Sequence, residues 1–297
     1  MATLKDVKAK MNGVQKTQQI TRAMHMVAAS KLRGAQVRME GFRPYADKYA
    51  QIVGDVARSG DMDGLESLLA PPKNAKMTVH ILLCTSDRGL AGGFTSNLVR
   101  LATDIAKEKK EEGFSVSFTC VGKKGNEWCR KAKYDVTDTY ENILDRRFDF
   151  KEVRAIGEKI VRKFSSGEYT QVYIVYSQFV RASLQIAMNV PLLPILPPHM
   201  DEAKENAIQF RHTYVTEPPA PKLLAKLLLD GIYSQIYRAF LENSTSEHAA
   251  RMTAMNNATI AANDILDELK IVYNKARQSA ITSELIDIVG GAEALAG

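Results

Sequence analysis

The residue types with the most chemistry to offer stand together at Ser86-Asp87-Arg88-Gly89-Leu90-Ala91-Gly92-Gly93. A hydroxyl, a carboxylate, a guanidinium and three glycines follow a run, Met77–Thr85, that reads as a buried strand. The amides of a Gly-rich strand-to-helix turn can cradle phosphate. The spacing fits neither known cradle: no Gly-Lys-Ser/Thr closes the turn, and it is not G-x-G-x-x-G. Glycines at such turns often serve backbone geometry alone, and that is the reading preferred here. The histidines, His25, His80, His199, His212 and His248, form no ligand spacing. Cys84, Cys120 and Cys129 lack a C-x-x-C pair and read as reduced, partly buried thiols. No Ser or Cys stands in a nucleophile elbow or beside a base legible in sequence. The residues therefore predict no catalysis, no cofactor and no metal on this chain.

The elements that would position such residues are dominated by the two ends. From Lys222 to Val289 there is no proline and one glycine, Gly231, and apolar residues recur at helical spacing. At ~1.5 Å per residue this run would make a rod of roughly 100 Å, too long to be buried within its own fold. Met252, Met255, Thr259, Ala262, Leu266, Leu269, Tyr273 and Ala276 alternate by three and four, the signature of a coiled-coil seam. At the other end a helix is predicted from Thr3, its N-cap, with Leu4, Val7, Met11 and Val14 on the same spacing. The seam then turns polar or small at Gln18, Thr21 and Ala28-Ala29-Ser30, and Gly34 to Pro44 is the stretch where a bend is expected. This first segment is basic. Residues 1–58 hold eleven Lys/Arg and four acids, while the whole chain carries +6. Such a helix can face phosphates or an acidic protein surface.

Between the rods the pattern changes. A strand at Met77–Thr85, a helix at Thr95–Glu112, a strand at Ser115–Val121, helices at Lys123–Lys131 and Lys151–Ser166, and strands at Tyr169–Tyr176 and Phe179–Met188 are predicted. The last two strands form a hairpin. Pro191–Pro198 is read as an extended linker, followed by a short strand near Gln209–Val215. The predicted fold is α/β: a long antiparallel coiled coil of the N- and C-terminal helices plus a central Rossmann-like domain with a largely parallel sheet. Its parts are a first rod over 1–58, a central domain over 76–216 and a second rod over 219–289. Residues 59–75 are read as a loop.

The unequal rods have a geometric consequence. Run antiparallel from a common base, they place residue 4 near residue 271 and leave Lys275 to Val289 without an intramolecular partner. This overhang carries Ile281, Leu285, Ile286, Ile288 and Val289, and so much apolar surface on a lone helix requires an external socket. Arg277 and Gln278 at its start read as hydrogen-bonding contacts to whatever surrounds it. Met24, among small residues, reads equally as core filler or as partner-facing. No stretch approaches ~18 apolar residues, so no transmembrane span is expected. The start, MATLKDVKAK, has no apolar signal core, and an intracellular protein is expected.

The chain resembles the gamma subunit of F-type ATP synthases along essentially its whole length. The likeness rests on Gln18-Gln19-Ile20-Thr21-Arg22-Ala23-Met24 through Met26-Val27-Ala28-Ala29-Ser30-Lys31, on Ser86-Asp87-Arg88-Gly89-Leu90 with Gly92-Gly93, and on Tyr273-Asn274-Lys275-Ala276-Arg277-Gln278, Ile281-Thr282, Glu284-Leu285 and Gly290-Gly291-Ala292. Ala91 departs from the pattern, where cysteine or another small residue is common. The chloroplast-type cysteine insertion and a mitochondrial transit peptide are absent, so the resemblance is to the bacterial form. It implies a central shaft passing through a hexamer of alpha and beta subunits. Met24, Arg277, Gln278, Thr282 and Glu284 would contact beta, and the overhang would sit in an apolar bearing. The central domain would dock the epsilon subunit and rest on the membrane c-ring, with Tyr214 and Glu217 in the foot. The place implied is the cytoplasmic face of the bacterial inner membrane.

Two other classes stand beside this one. A nucleotide-binding α/β protein with helical arms is disfavoured by the missing Walker lysine. A basic helical nucleic-acid binder is disfavoured because the long helices lack aromatic residues interleaved with the basic ones at their charged parts; it would show steep salt-dependent affinity.

Overall fold

Between residues 78 and 193 strand and helix alternate, and the strands assemble into one five-stranded sheet. The computed structural model describes residues 4–59, 70–72, 75–195 and 220–296. In chain order the elements are α1 (Leu4–Ser59), β1 (Thr78–Cys84), α2 (Phe94–Glu111), β2 (Ser115–Val121), α3 (Lys123–Lys131), β3 (Asp135–Tyr140), α4 (Phe150–Ser165), β4 (Gln171–Arg181), β5 (Leu184–Leu193) and α5 (Ala220–Ala296). The chain divides into two compact units. One joins Met1–Ala29 to Arg251–Gly297; the other is Ser30–Ala250.

The α/β unit has strand order β3-β2-β1-β4-β5. β1 runs parallel to β2 and β4, β2 runs parallel to β3, and β5 returns antiparallel on β4. This is the doubly wound order, with its switch point between β1 and β4. The central strand β1 is apolar almost throughout because both of its faces are covered. On one face Leu98, Ala102, Ile105 and Ala106 of α2 pack with Cys129 of α3 over Ile81, Leu83 and Phe118. On the other, Val153, Ile156, Ile160 and Phe164 of α4 pack with Ile232, Ile236 and Phe240 of α5 over Leu82, Val172 and Ile174. The α4–α5 approach is close because Gly157 has no side chain: a Cβ there would lie 2.6 Å from Cδ1 of Tyr233. α4 is started by Asp149, whose carboxylate accepts from the Glu152 amide at 2.9 Å while Glu152 reaches back to the Asp149 amide.

Several expectations shift. β3, Asp-Val-Thr-Asp-Thr-Tyr, escapes sequence reading because it is half polar and only half-buried at the sheet edge; its pairing with β2 makes it a strand. The hairpin turn falls at Ala182-Ser183, between paired Arg181 and Leu184, so β4 runs on through the stretch assigned to the turn. Pro191 pairs with Tyr173 inside β5 rather than opening a linker, as an edge strand permits. Gly34 to Pro44, the stretch where a bend is expected, keeps its helical hydrogen bonding with Pro44 inside the helix, and Leu32, Ala35 and Met39 are buried. α5 continues past Val289 through Gly290-Gly291 to Ala296, carried by the helix formers of Ala-Glu-Ala-Leu-Ala. The Thr3 cap, most of the 59–75 loop, the strand near Gln209–Val215, His199, His212, and Tyr214 and Glu217 lie outside the described residues.

Candidate functional site

The Gly-rich turn is spent on its neighbour. The Lys123 amide donates to Asp87 Oδ1 at 3.0 Å, the Gly125 amide to Thr85 Oγ1 at 2.8 Å, and the Lys124 amide to the Ser86 carbonyl at 3.1 Å. These are the first amides of α3, the donors a phosphate would otherwise use. Gly122 is needed for this approach. Its φ is 105°, and a Cβ there would lie 2.4 Å from the Thr85 carbonyl oxygen. The turn is therefore an N-terminal cap supplied from another element.

His80, the three cysteines and Asp145 of the α/β unit are engaged within the fold. His80 is fully buried and hydrogen-bonds through Nδ1 to Ser117 Oγ at 2.8 Å and through Nε2 to Thr119 Oγ1 at 2.9 Å. It stacks on Tyr169 with ring centroids 4.2 Å apart. Burial, with Lys163 nearby, lowers its pKa to about 3, so the ring is neutral. Cys84, Cys120 and Cys129 are free and buried, fully rather than partly, and burial pushes the Cys84 thiol up, away from the reactive thiolate. Asp145 accepts from Lys31 Nζ at 2.6 Å and lies 3.3 Å from Arg88. Partial burial works to raise its pKa, but the Lys31 hydrogen bond and the positive charges of Lys31 and Arg88 hold it below the ordinary value. Among the described residues no cluster of His, Cys, Asp or Glu could hold a metal.

The other unit is a coiled coil. Every predicted seam position of α5, from Met252 to Ala276, is buried or half-buried, and most positions between them are exposed. In α1 the alternation does not stop at Val14. Gln18, Thr21, His25 and Ala28 continue it, buried or half-buried although polar or small. Gln18 donates to Asn263 Oδ1, and Thr21 Oγ1 meets Thr259 Oγ1 at 2.8 Å. Position numbers rise in one helix as they fall in the other, so the pair is antiparallel. Extending this register places Leu4 opposite about residue 276 or 277 rather than 271. From Arg277 to Ala292 every residue is exposed.

That exposed end has a patterned surface. At about 100° per residue, Ile281, Leu285, Ile288 and Val289 share one face, with Arg277 and Gln278 on the same face a turn earlier. Ile286 is the outlier. The opposite face carries Ser279, Ala280, Ser283 and Asp287. Ile288 is 68% exposed. Thr282 bonds to the Gln278 carbonyl at 2.9 Å, Glu284 is exposed, and Met24 is half-buried beside the seam. Sequence reading missed a second apolar surface, on the outside of the coiled coil: Ile20, Met26, Val27, Ile260 and Ile271 are all more than half exposed. They lie off the seam, which is the signal that could have found them.

A doubly wound α/β unit whose turn caps its own helix, together with a coiled coil made from the chain's two ends, defines a coiled-coil α/β protein. The sequence profile of the ATP synthase family matches residues 3–295. The chain is 45% identical over 300 residues to the ATP synthase gamma chain of Desulfosudis oleivorans, and 46% identical over 297 residues to that of Nitratidesulfovibrio vulgaris Hildenborough, with all of both chains covered in each case. It belongs to the ATP synthase gamma chain family. In fold it resembles a chain of the Euglena gracilis mitochondrial ATP synthase, with a TM-score of 0.66, 20% identity and 98% and 94% of the two chains covered. It also resembles a chain of the central stalk and c-ring structure of the Tetrahymena thermophila enzyme, with a TM-score of 0.59, 24% identity and 80% and 99% covered.

Proposed function

We propose that this chain is the central rotary shaft of an F-type ATP synthase. It couples ion-driven rotation of a membrane c-ring to conformational cycling of catalytic beta subunits, and it carries out no reaction itself. The observation that carries the reading is the unpartnered end of α5, a 16-residue helical stretch exposed on all sides with an apolar face, in a chain matched end to end by gamma chains. An apolar bearing in a ring of alpha and beta subunits is the socket such an end requires. Ile281, Leu285, Ile286, Ile288 and Val289 turn in that bearing, and Arg277, Gln278, Thr282, Glu284 and Met24 contact beta. Rotating an asymmetric shaft changes the contacts each beta subunit receives, so differential binding shifts each site between states. The basic first helix is guided by acidic loops of beta. The α/β domain docks epsilon and stands on the c-ring through a foot near Tyr214 and Glu217, at the cytoplasmic face of the bacterial inner membrane. No described helix is long and apolar enough to cross a membrane.

Affinity purification from gently solubilised membranes tests this. Alpha and beta subunits in equal amounts, each in excess over the tagged chain, together with epsilon, are the expected companions. Recovery of nucleic acid alone, or of no partner, would overturn the reading.

A further inference from the structure

In doubly wound folds the crevice beyond the carboxyl ends of the strands, at the switch point, is where ligands bind. Here that place is taken by the chain's own helix. β1 pairs with β4 only as far as Leu83–Val175, so two residues on, at Ser177, β4 has lost this neighbour while still pairing with β5. α5 supplies what β1 no longer does. The Ser177 amide donates to Asn243 Oδ1 at 3.0 Å, and Ser246 Oγ donates to the Ser177 carbonyl at 3.0 Å. Ser177 is 3% exposed, and Asn243 and Ser246 are wholly buried. Two side chains three residues apart on one helix face thus stand in for the next residue of a strand.

This arrangement discriminates between registers one helical turn apart. A helix displaced by three or four residues in either direction would offer Phe240 and Asn243, Ala239 and Glu242, Ser246 and Ala249, or Glu247 and Ala250. None of these pairs has the acceptor first and the donor second. Each of these slips therefore strands at least one buried backbone group of Ser177. A second fastener acts from another side: Ser244 Oγ donates to the Leu144 carbonyl at 2.9 Å, and the next residue, Asp145, holds Lys31 of α1. One loop thereby grips both long helices.

We infer that Asn243 and Ser246 are positioning residues that lock α5 in rotational and axial register on the sheet, making the α/β domain a torque-bearing joint. The inference rests on the rotary-shaft reading. A buried polar pair is chosen here over an apolar one because apolar packing resists separation but not sliding, whereas paired hydrogen bonds have one correct position.

The test uses the intact membrane complex carrying Asn243→Leu, Ser246→Ala or Ser246→Thr. Hydrogen exchange of the peptide containing Ser177, thermal unfolding, and ions pumped per ATP hydrolysed are read together. Asn243→Leu and Ser246→Ala are expected to speed exchange at Ser177 about tenfold or more and to lower pumping per ATP about twofold, with hydrolysis retained. Ser246→Thr, which keeps the hydroxyl, restores both. Faster exchange with unchanged pumping per ATP would overturn the joint, leaving these bonds as packing alone. If Asn243→Leu fails to assemble, Ser246→Ala, which loses a single atom, decides by the same readouts. Absence of the unmodified chain from the complex would overturn the shaft reading instead.

Discussion

Thr21 and Thr259 meet hydroxyl to hydroxyl at 2.8 Å across the coiled coil, with the Gln18 and Met255 carbonyls in reach of their own helix's hydroxyl, so that one threonine donates across the seam while the other donates to its own helix. A polar pair on a seam fixes register at some cost in grip. With Gln18 and Asn263 one turn away, it determines where α1 ends along α5 and how much of α5 is left unpaired.

Replacing one threonine by valine removes the bond across the seam, while the remaining hydroxyl still donates to its own helix's carbonyl. Thr259→Val alone is expected to destabilise the purified chain by about 0.5–1.5 kcal/mol, the net worth of one hydrogen bond. Thr21→Val with Thr259→Val is expected to recover most of that loss, because an apolar pair suits a seam. Urea unfolding of the four members of a double-mutant cycle measures the coupling. Additive single effects would show that the pair does not set register.

Gly157→Ala tests the α4–α5 approach. The new Cβ meets the buried Tyr233 ring at 2.6 Å, and overpacking of this kind costs about 1–3 kcal/mol. Tyr233→Leu in the same chain frees the space and should remove much of the penalty. Thermal unfolding of the two variants gives the comparison.

His80 makes the stability of the α/β unit depend on pH. Folded, the ring holds its proton only below about pH 3; unfolded, it takes one near the ordinary value of 6.5. Between these two values the unfolded state binds the extra proton. Stability contributed by the neutral ring is complete above pH 6.5 and is lost as pH falls, by at most ~1.4 kcal/mol per pH unit. His80→Gln should flatten the slope between pH 7 and 5 in urea unfolding. An unchanged slope would assign it to other groups.

The exposed end of α5 should be dispensable for folding and essential for assembly. Ile288→Ser and Leu285→Ser change exposed side chains, so unfolding of the purified chain should move by less than ~0.5 kcal/mol. Recovery of alpha and beta subunits with the tagged chain should fall. Unfolding that moves while recovery does not would remove the bearing from these residues.

Met24→Lys places a charge beside the seam at a half-buried position. On the proposed contact of Met24 with beta, hydrolysis by the complex should persist while ions pumped per ATP decline, because a charge added to a close contact alters its grip. Equal pumping in variant and parent would place Met24 on the core side of the helix alone.

The sequence by itself determined the two long helices, the parallel α/β middle and the overhang, because helical and strand periods repeat along the chain and need no partner to be legible. The 3-4 alternation from Met252 to Ala276 is such a pattern. Only the tertiary structure decided the rest. β3 is a strand because β2 lies beside it, and the partners of the seam residues Gln18 and Thr21, Asn263 and Thr259, follow from the register of the pair. That Asp87 caps α3 could not be read from the sequence, since a side chain's partner across 36 residues of chain is set by the fold and leaves no local mark. Nothing in the sequence marks Asn243 and Ser246 as buried partners of a strand. They meet Ser177 where β1 has ended and β4 runs on, and a strand's unequal neighbour lengths are a property of the sheet, not of any segment in it.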